Sequence, residues 1–323
     1  MSKTIVKPYA ELRAATLKRD RGLREKVMTL DEAARFVHDG DHVGIGGCTM
    51  SRTPLAMIWA LIRARKKDLV VSRSITSTEG DLFYASGVSK HIMTSWFTQG
   101  IVWGVSKVMR HYTEKKLARY EEWSHMSMGL RYRAGAMGVP FMASRSMLGS
   151  DVGNRVGADL KTMTCPFTGE TVALLPALNP DVVLIHVPRC DPYGNAQLDG
   201  LQFMDIDMAM AANRVILTTE RIVSNDMIRR QPDQTRIPFF TVDAVVEVPF
   251  GSAPHECYGM YEPFFTHMDA YAARCYGKDP VAGVQAYLEE FYYGPKGWPD
   301  YLAKLGMAEL LDASRRGRSV IND

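Results

Sequence analysis

Three glycines fall within four residues in the segment Val43-Gly44-Ile45-Gly46-Gly47-Cys48-Thr49-Met50-Ser51-Arg52-Thr53-Pro54. An apolar run precedes them, small hydroxyl residues and an arginine follow, and a helical pattern begins at Leu55. This reads as strand, tight turn, helix. Glycine allows a left-handed backbone and close approach of a ligand. The unpaired N–H groups of the following helix favour an anion or a developing oxyanion. The spacing is not G-x-G-x-x-G, and no Lys-Ser/Thr pair follows as in a phosphate loop. Nucleotide chemistry is therefore a poor fit. The plain alternative is a strand–helix turn that only packs.

A second polar segment, Ser74-Ile75-Thr76-Ser77-Thr78-Glu79-Gly80-Asp81, follows the short apolar run Leu69-Val70-Val71. Polar loops at the carboxyl ends of parallel strands are where α/β sheets bind ligands. Ser74, Thr76, Ser77 and Gly80 are accordingly candidate ligand contacts. Glu79 and Asp81 are each a candidate general base or a cap for the next helix, and capping fits Asp81 better. His255-Glu256-Cys257 brings three potential metal ligands together. Adjacent residues cannot all face one ion, and no second ligand pair has suitable spacing, so no metal is expected. Cys48 at a helix N-terminus could favour a thiolate. A small packing residue in the turn fits it better.

These candidates need a scaffold, and the composition bounds it. The chain has 323 residues, 46% hydrophobic and 23% charged, with a formal net charge of +3. That balance is ordinary for a soluble globular protein and makes no case for nucleic acid. Five widely spaced cysteines form no C-x-x-C pair, so a reducing, cytoplasmic setting is expected. No secretory leader and no membrane span are expected.

Residues 1–27 form a basic arm with a weak amphipathic pattern at Tyr9, Leu12, Leu17 and Leu23, solvated or in contact with a partner. Residues 28–323 read as one α/β domain. Thr29 and Glu32 make a capping box for a helix over Leu30–Val37, which stops at Gly40. Strands are expected at His42–Ile45, Asp68–Ser72, Gly138–Met142, Thr171–Leu175, Asp181–Val187, Arg214–Thr219 and Asp243–Val248. Residues 97–135 read as one or two inserted helices, 148–170 as a long loop, Met204–Ala212 as a helix, and the C-terminal part as helical. Strand–helix alternation predicts an open, mostly parallel, doubly wound sheet.

Taken together, Met28-Thr29-Leu30, Gly40-Asp41-His42, Arg52 with Pro54, Gly80-Asp81 and Gly87-Val88-Ser89-Lys90 carry a resemblance. So do Gly138-Val139-Pro140-Phe141, Leu148-Gly149-Ser150, Val242-Asp243-Ala244-Val245-Val246 and the run Pro254–Tyr261. In order and spacing the chain resembles the α (A) subunit of family I CoA-transferases, of the glutaconate CoA-transferase type.

The resemblance implies a partner, the CoA-transferase β subunit, in an α2β2 or larger assembly. It implies acyl-CoA and carboxylate substrates, with the coenzyme A thioester as substrate and no cofactor bound permanently. Moving CoA between acids needs a nucleophilic carboxylate, and in the resembled family a glutamate on the β chain supplies it. The α chain lends its glycine-rich turn to the same cavity. Gly46 and Gly47 are thus expected as oxyanion donors or close-approach residues. Cys48, Thr49, Ser51 and Arg52 are expected at the substrate, Arg52 pairing a carboxylate or a CoA phosphate unless it forms a surface ion pair. Some relatives are hydrolases that open a ring of a steroid-derived CoA thioester using an α-chain glutamate. Counted back from Pro140-Phe141, His125 stands in that place, with Glu121 and Glu122 expected one turn earlier. His125 is either a general base or a packing residue. Decarboxylases on the same scaffold, and a purely structural chain, are the other readings.

Overall fold

The structure is a computed structural model that describes residues 7–100, 102–156 and 160–322, without the side chains of 319–322. The first six residues of the basic arm, and Gly157 in the expected 148–170 loop, lie outside the described residues. The chain begins with α1 (Tyr9–Lys18) and α2 (Leu30–Ala34). It then alternates β1 (His42–Ile45), α3 (Leu55–Arg63), β2 (Leu69–Arg73), α4 (Thr78–Ser86), β3 (Ser89–Thr94), α5 (Lys107–Glu114), β4 (Arg119–Glu122) and α6 (His125–Met137). A small antiparallel sheet follows, built from β5 (Phe141–Ser144), β6 (Lys161–Thr164) and β7 (Thr171–Pro176), with α7 (Asp151–Val156) inside it. Next come β8 (Val182–Val187), β9 (Arg189–Cys190), β10 (Ala196–Gln197), α8 (Asp205–Ala211), β11 (Arg214–Thr219), α9 (Asn225–Arg230), β12 (Thr235–Ile237) and β13 (Ala244–Glu247). Four helices end the chain, α10 (Phe265–Cys275), α11 (Pro280–Leu288), α12 (Trp298–Leu305) and α13 (Met307–Asn322).

The main sheet has seven strands in the order β13-β11-β8-β1-β2-β3-β4, and every pairing in it is parallel. The chain builds outward from β1 through β4 on one side, then returns and builds from β8 through β13 on the other. The switch point lies between β1 and β8, and ligands of open α/β sheets bind in the crevice at the carboxyl ends there. β8 is buried at every residue. Val182 and Leu184 face the layer of α2–α5 and α10–α12, while Val183, Ile185 and Val187 face the layer of α6 and α8. This two-sided burial is why its sequence is a continuous apolar run rather than an alternating one.

The structure corrects three local expectations. The capping box is present, with Thr29 Oγ1 accepting from Glu32 N and Glu32 Oε2 accepting from Thr29 N at 2.8 Å, but regular helix ends at Ala34 rather than Val37. The stretch 97–135 is not a purely helical insertion, since β4 inside it is the sheet's edge strand. Its polar sequence, Arg119-Tyr120-Glu121-Glu122, hides it from an apolar-pattern search, and charge is how exposed edges avoid mispairing. The expected 148–170 loop holds α7 and β6. The arm is also more than solvated chain. Lys26 is buried and donates to the Phe239 carbonyl at 2.6 Å, Val27 pairs with Val245, and Arg19 pairs with Asp243 at 2.5 Å.

Asp81 does not cap α4. It lies within the first turn, fully buried, and accepts hydrogen bonds from Ser106 Oγ, Tyr271 Oη at 3.1 Å and Tyr276 Oη at 3.5 Å. Desolvation raises its carboxyl to about 7 from 3.8. Between those values the folded protein holds a proton that the unfolded chain has released, so this group makes stability fall as pH rises. Asp81→Asn should flatten the decline in melting temperature between about pH 4 and about pH 7. An unchanged slope in thermal unfolding across that range would remove Asp81 as its source.

Candidate active site

The glycine-rich turn sits at the switch point, on the carboxyl end of β1. Gly46 N–H donates to the Leu184 carbonyl of β8 at 2.8 Å. Gly47 adopts φ +69°, and its N–H donates to Asp205 Oδ1 at 2.7 Å. Cys48 and Ser51 then close the turn with two backbone hydrogen bonds of 3.1 and 2.8 Å. Thr49 and Arg52 are also left-handed, at φ 49° and 50°. Such positions are strained for residues with a Cβ, and a β-branched threonine feels it most. The Thr49 N–H reaches the Ile75 carbonyl at 3.2 Å, tying the turn to the loop after β2. The Met50 N–H at the tip has no partner among the described residues.

Two buried ion pairs hold this backbone from below. Arg52 is 1% exposed, and its Nη1 meets Asp205 Oδ2, on the first turn of α8, at 2.5 Å. Its other donors reach the carbonyls of His186 and Leu201 at 3.2 and 2.8 Å. Arg73, at the end of β2, pairs with Glu79 with both side chains fully buried, and also donates to Thr53 Oγ1 at 2.9 Å. Thr53 Oγ1 contacts the Thr49 carbonyl at 3.2 Å and His255 Nδ1 at 2.8 Å, and His255 Nε2 meets Thr78 Oγ1 at 2.8 Å. Because Thr53 gives its proton to Thr49, the network assigns the imidazole proton to Nδ1. Burial first, then the nearby Arg73 charge, holds His255 well below its ordinary value, so it is neutral.

Above these pairs lies a half-open rim. Thr49, Met50, Ser51, Ile75 and Ser95 are half-buried there. Glu256 joins them because its backbone pairs with the turn, N–H to the Met50 carbonyl at 2.8 Å and carbonyl to the Arg52 N–H at 2.9 Å. Its carboxyl takes a hydrogen bond from the Ser51 side chain, and burial raises it above the ordinary carboxylate value. His125 starts α6, is exposed, and contacts Ser95 Oγ through Nδ1 at 3.3 Å. Ser95 Oγ in turn donates to the Ser74 carbonyl at 2.5 Å. Trp96, 51% exposed, Met126, Leu201 and Tyr258 add apolar surface to the same edge.

The two predicted loops therefore meet, but several roles change. Gly46 and Gly47 have committed N–H groups, so neither is a free oxyanion donor. Glycine at 47 serves turn closure, since a Cβ there would lie 2.1 Å from the Ser51 carbonyl oxygen. At Gly80 a Cβ would strike the Phe97 ring, so that glycine serves packing. Arg52 is not available to a substrate carboxylate, and its ion pair is buried rather than on the surface. Glu79 is locked against Arg73 and is not placed as a general base. Cys48 is buried, and desolvation raises its thiol, which disfavours a thiolate. Ser74, Thr76 and Ser77 are buried behind the rim. Glu121 and Glu122 lie on β4, not on a helical turn before His125. Glu121 is bound by His91 at 3.0 Å, Trp123 at 2.9 Å and Arg119 at 2.8 Å, and is held down at about 2. Sequence reasoning missed Asp205, Arg73, and the roles of His255 and Glu256. Only Asp205, an acid opening an expected helix, carried a local signal.

Cys257 does lie near two other potential ligands. His186, Glu220 and Cys257 place ligand atoms within 4.8 Å of one another. The Glu220 carboxylate already accepts from Phe250 N at 2.7 Å, Gly251 N at 3.0 Å, Tyr261 Oη at 2.7 Å and His186 Nε2 at 2.7 Å. Those four bonds make this cluster a tie between β8, β11 and the 250–261 loop.

A parallel seven-stranded sheet with a strained turn at its switch point defines a class, and comparison with known proteins defines it further. The coenzyme A transferase family model matches residues 27–248. The glutaconate CoA-transferase A-type chain of Acidaminococcus fermentans is 31% identical over 89% of this chain and 94% of its own length. The 3-oxoadipate CoA-transferase A-type chain of Pseudomonas knackmussii is 33% identical over 87% of the chain and 98% of its own. The crystal structure of the A. fermentans enzyme superimposes with a TM-score of 0.84 at 30% identity, covering 89% of this chain and 95% of that one. The chain spans 66% of the length of an uncharacterised Archaeoglobus fulgidus protein with which it is 35% identical. This chain belongs to the coenzyme A transferase family and is an α-type (A) subunit of its heteromeric branch. That branch also includes other chemistries. A cholesterol ring-cleaving hydrolase IpdA subunit of Rhodococcus jostii is 30% identical over 76% of the chain and 86% of its own length.

The buried geometry generates an ordered expectation. Gly47→Ala should cost about 2–4 kcal/mol through the collision and the left-handed backbone. Asp205→Asn should cost about 3–5 kcal/mol by leaving Arg52 buried without its counter-charge. Denaturant unfolding measures both, and turnover should fall only in proportion to folded protein. Wild-type stability with lost turnover in Gly47→Ala would return the glycine to the chemistry.

Proposed function

We propose that this α-type chain forms one wall of an acyl-CoA cavity that a β-type partner completes, the pair transferring CoA between an acyl thioester and a free acid. One observation carries this reading: Asp205 and Glu79, the carboxylates beneath the turn, are both buried in pairs with arginines, and Glu256, the carboxylate on the rim, is tied to the turn by its backbone and by Ser51. The nucleophilic carboxylate then comes from the partner. It attacks the thioester carbonyl, the C–S bond breaks, and CoA leaves as thiolate. The mixed anhydride so formed is opened by the thiolate at the enzyme-side carbonyl, releasing the first acid and leaving an enzyme thioester. The second acid's carboxylate reverses the sequence.

On this reading the free Met50 N–H at the tip takes the oxyanion-donor part, in place of Gly46 and Gly47. Thr49 and Ser51 line the acyl path, and His125 with Ser95 borders it. Trp96, Met126, Leu201 and Tyr258, large apolar side chains left exposed, support a partner seated on the carboxyl edge. The unit is one α/β domain, residues 28–323, preceded by the basic arm, whose Arg19, Lys26 and Val27 hold to it. The assembly is α2β2 or larger and cytoplasmic, and no cofactor is held permanently. Among the described residues no helix is long and apolar enough to cross a membrane.

The isolated chain should not exchange CoA between an acyl-CoA and free carboxylates, and co-expression with its β-type chain should restore exchange. Mass spectrometry of the complex after incubation with acyl-CoA should find the CoA adduct on the partner. An adduct on this chain, or robust turnover by it alone, would overturn the assignment.

A further inference from the structure

The rim holds a carboxylate, Glu256, that no arginine holds in an ion pair among the described residues. It is half-buried, hydrogen-bonded by Ser51, and fixed to the turn through two backbone hydrogen bonds. Glu262 lies close enough to add a second negative charge to its surroundings, opposed by a smaller influence of the Arg52 guanidinium below. The two guanidinium groups beneath the turn are unavailable to an incoming anion. Arg52 gives its Nη atoms to Asp205 and two carbonyls, and Arg73 gives its own to Glu79 and Thr53. Both are buried below the turn, so a substrate carboxylate would have to displace an existing carboxylate to reach either. An acyl chain that passes Ser51 therefore meets a negative hydrogen-bond acceptor, with both cations of the turn already committed.

We infer that Glu256 is a specificity-determining residue of the acyl pocket, selecting acyl groups whose far end is a neutral hydrogen-bond donor, such as a hydroxyl, and rejecting those that carry a second carboxylate. The inference rests on the CoA-transferase reading and gives its site a substrate class. The geometry leaves the Glu256 carboxylate, which already receives the Ser51 hydroxyl, with acceptor capacity for one more donor. A hydroxyl satisfies it. A carboxylate offers only acceptors and a like charge, in a setting where partial burial weakens screening. The glutaconate and 3-oxoadipate enzymes that this chain resembles are named for dicarboxylates, so the preference would set this chain apart from them.

The test uses the co-expressed complex and two thioesters of equal chain length, 5-hydroxyvaleryl-CoA and glutaryl-CoA, with valeryl-CoA as reference. Wild-type complex should prefer the hydroxyacyl thioester over the diacid by at least about tenfold in kcat/KM, the scale of one like-charge contact in a partly buried site. Glu256→Gln should shift the ratio toward glutaryl-CoA by a similar factor. Calorimetric binding of the same thioesters reads the preference without turnover. If no acid accepts CoA, the transferase reading fails, while the binding ratio still decides the role of Glu256. Preference of the wild-type complex for glutaryl-CoA overturns the inference. So does a Glu256→Gln effect equal on all three thioesters, including complete loss of transfer, which would make Glu256 part of the general machinery. Should the variant misfold, the wild-type ratio alone decides.

Discussion

Arg52 and Asp205 meet beneath the glycine-rich turn with essentially no solvent between them and the core. One aspartate takes two loads. Oδ2 neutralises the guanidinium, and Oδ1 receives the Gly47 N–H. A turn with left-handed residues at 47, 49 and 52 is unfavourable by itself, and it persists because surrounding bonds over-determine it. The pair also joins parts far apart in sequence, the end of β1 and the start of α8. The two central strands and the turn between them therefore keep one geometry.

Such a pair is a poor source of net stability. Desolvating both ions offsets most of their attraction, whereas removing one partner strands the other. Its effect is on uniqueness of structure: Arg52 has one arrangement in which its Nη donors meet Asp205 and the carbonyls of His186 and Leu201. Arg73 and Glu79 repeat the device under the second loop, where neutral His255 bridges Thr78 and Thr53, the acceptor of an Arg73 hydrogen bond. The floor under the second loop is thus a connected set of polar groups whose hydrogen bonds reinforce one another.

This rigidity divides the labour of the site. Charges buried to position backbone cannot also attack a substrate or clamp one. Groups free to meet a ligand are left to the rim, where Met50, Ser51, Glu256 and His125 stand at the carboxyl edge. The parallel sheet makes this possible, because every β1–β4, β8, β11 and β13 carboxyl end opens on one side.

Much of the scaffold was legible in the chain. Glycine spacing after an apolar run predicts a turn at 44–47 because few other residues tolerate that backbone, and the apolar run 182–187 predicts a strand buried on both faces. Thr29 and Glu32 announce a helix start by local hydrogen bonding alone. Each of these depends on neighbours in sequence. The edge strand β4 was hidden because its stability comes from pairing with β3, not from an apolar pattern of its own. The site roles were hidden for the same reason. Whether Arg52 meets a substrate or Asp205, whether Glu79 is a base or the partner of Arg73, and whether Glu256 reaches the turn at all depend on contacts between residues distant in the chain. A charge's availability is set by what burial and partners do to it, and only the tertiary structure supplies those.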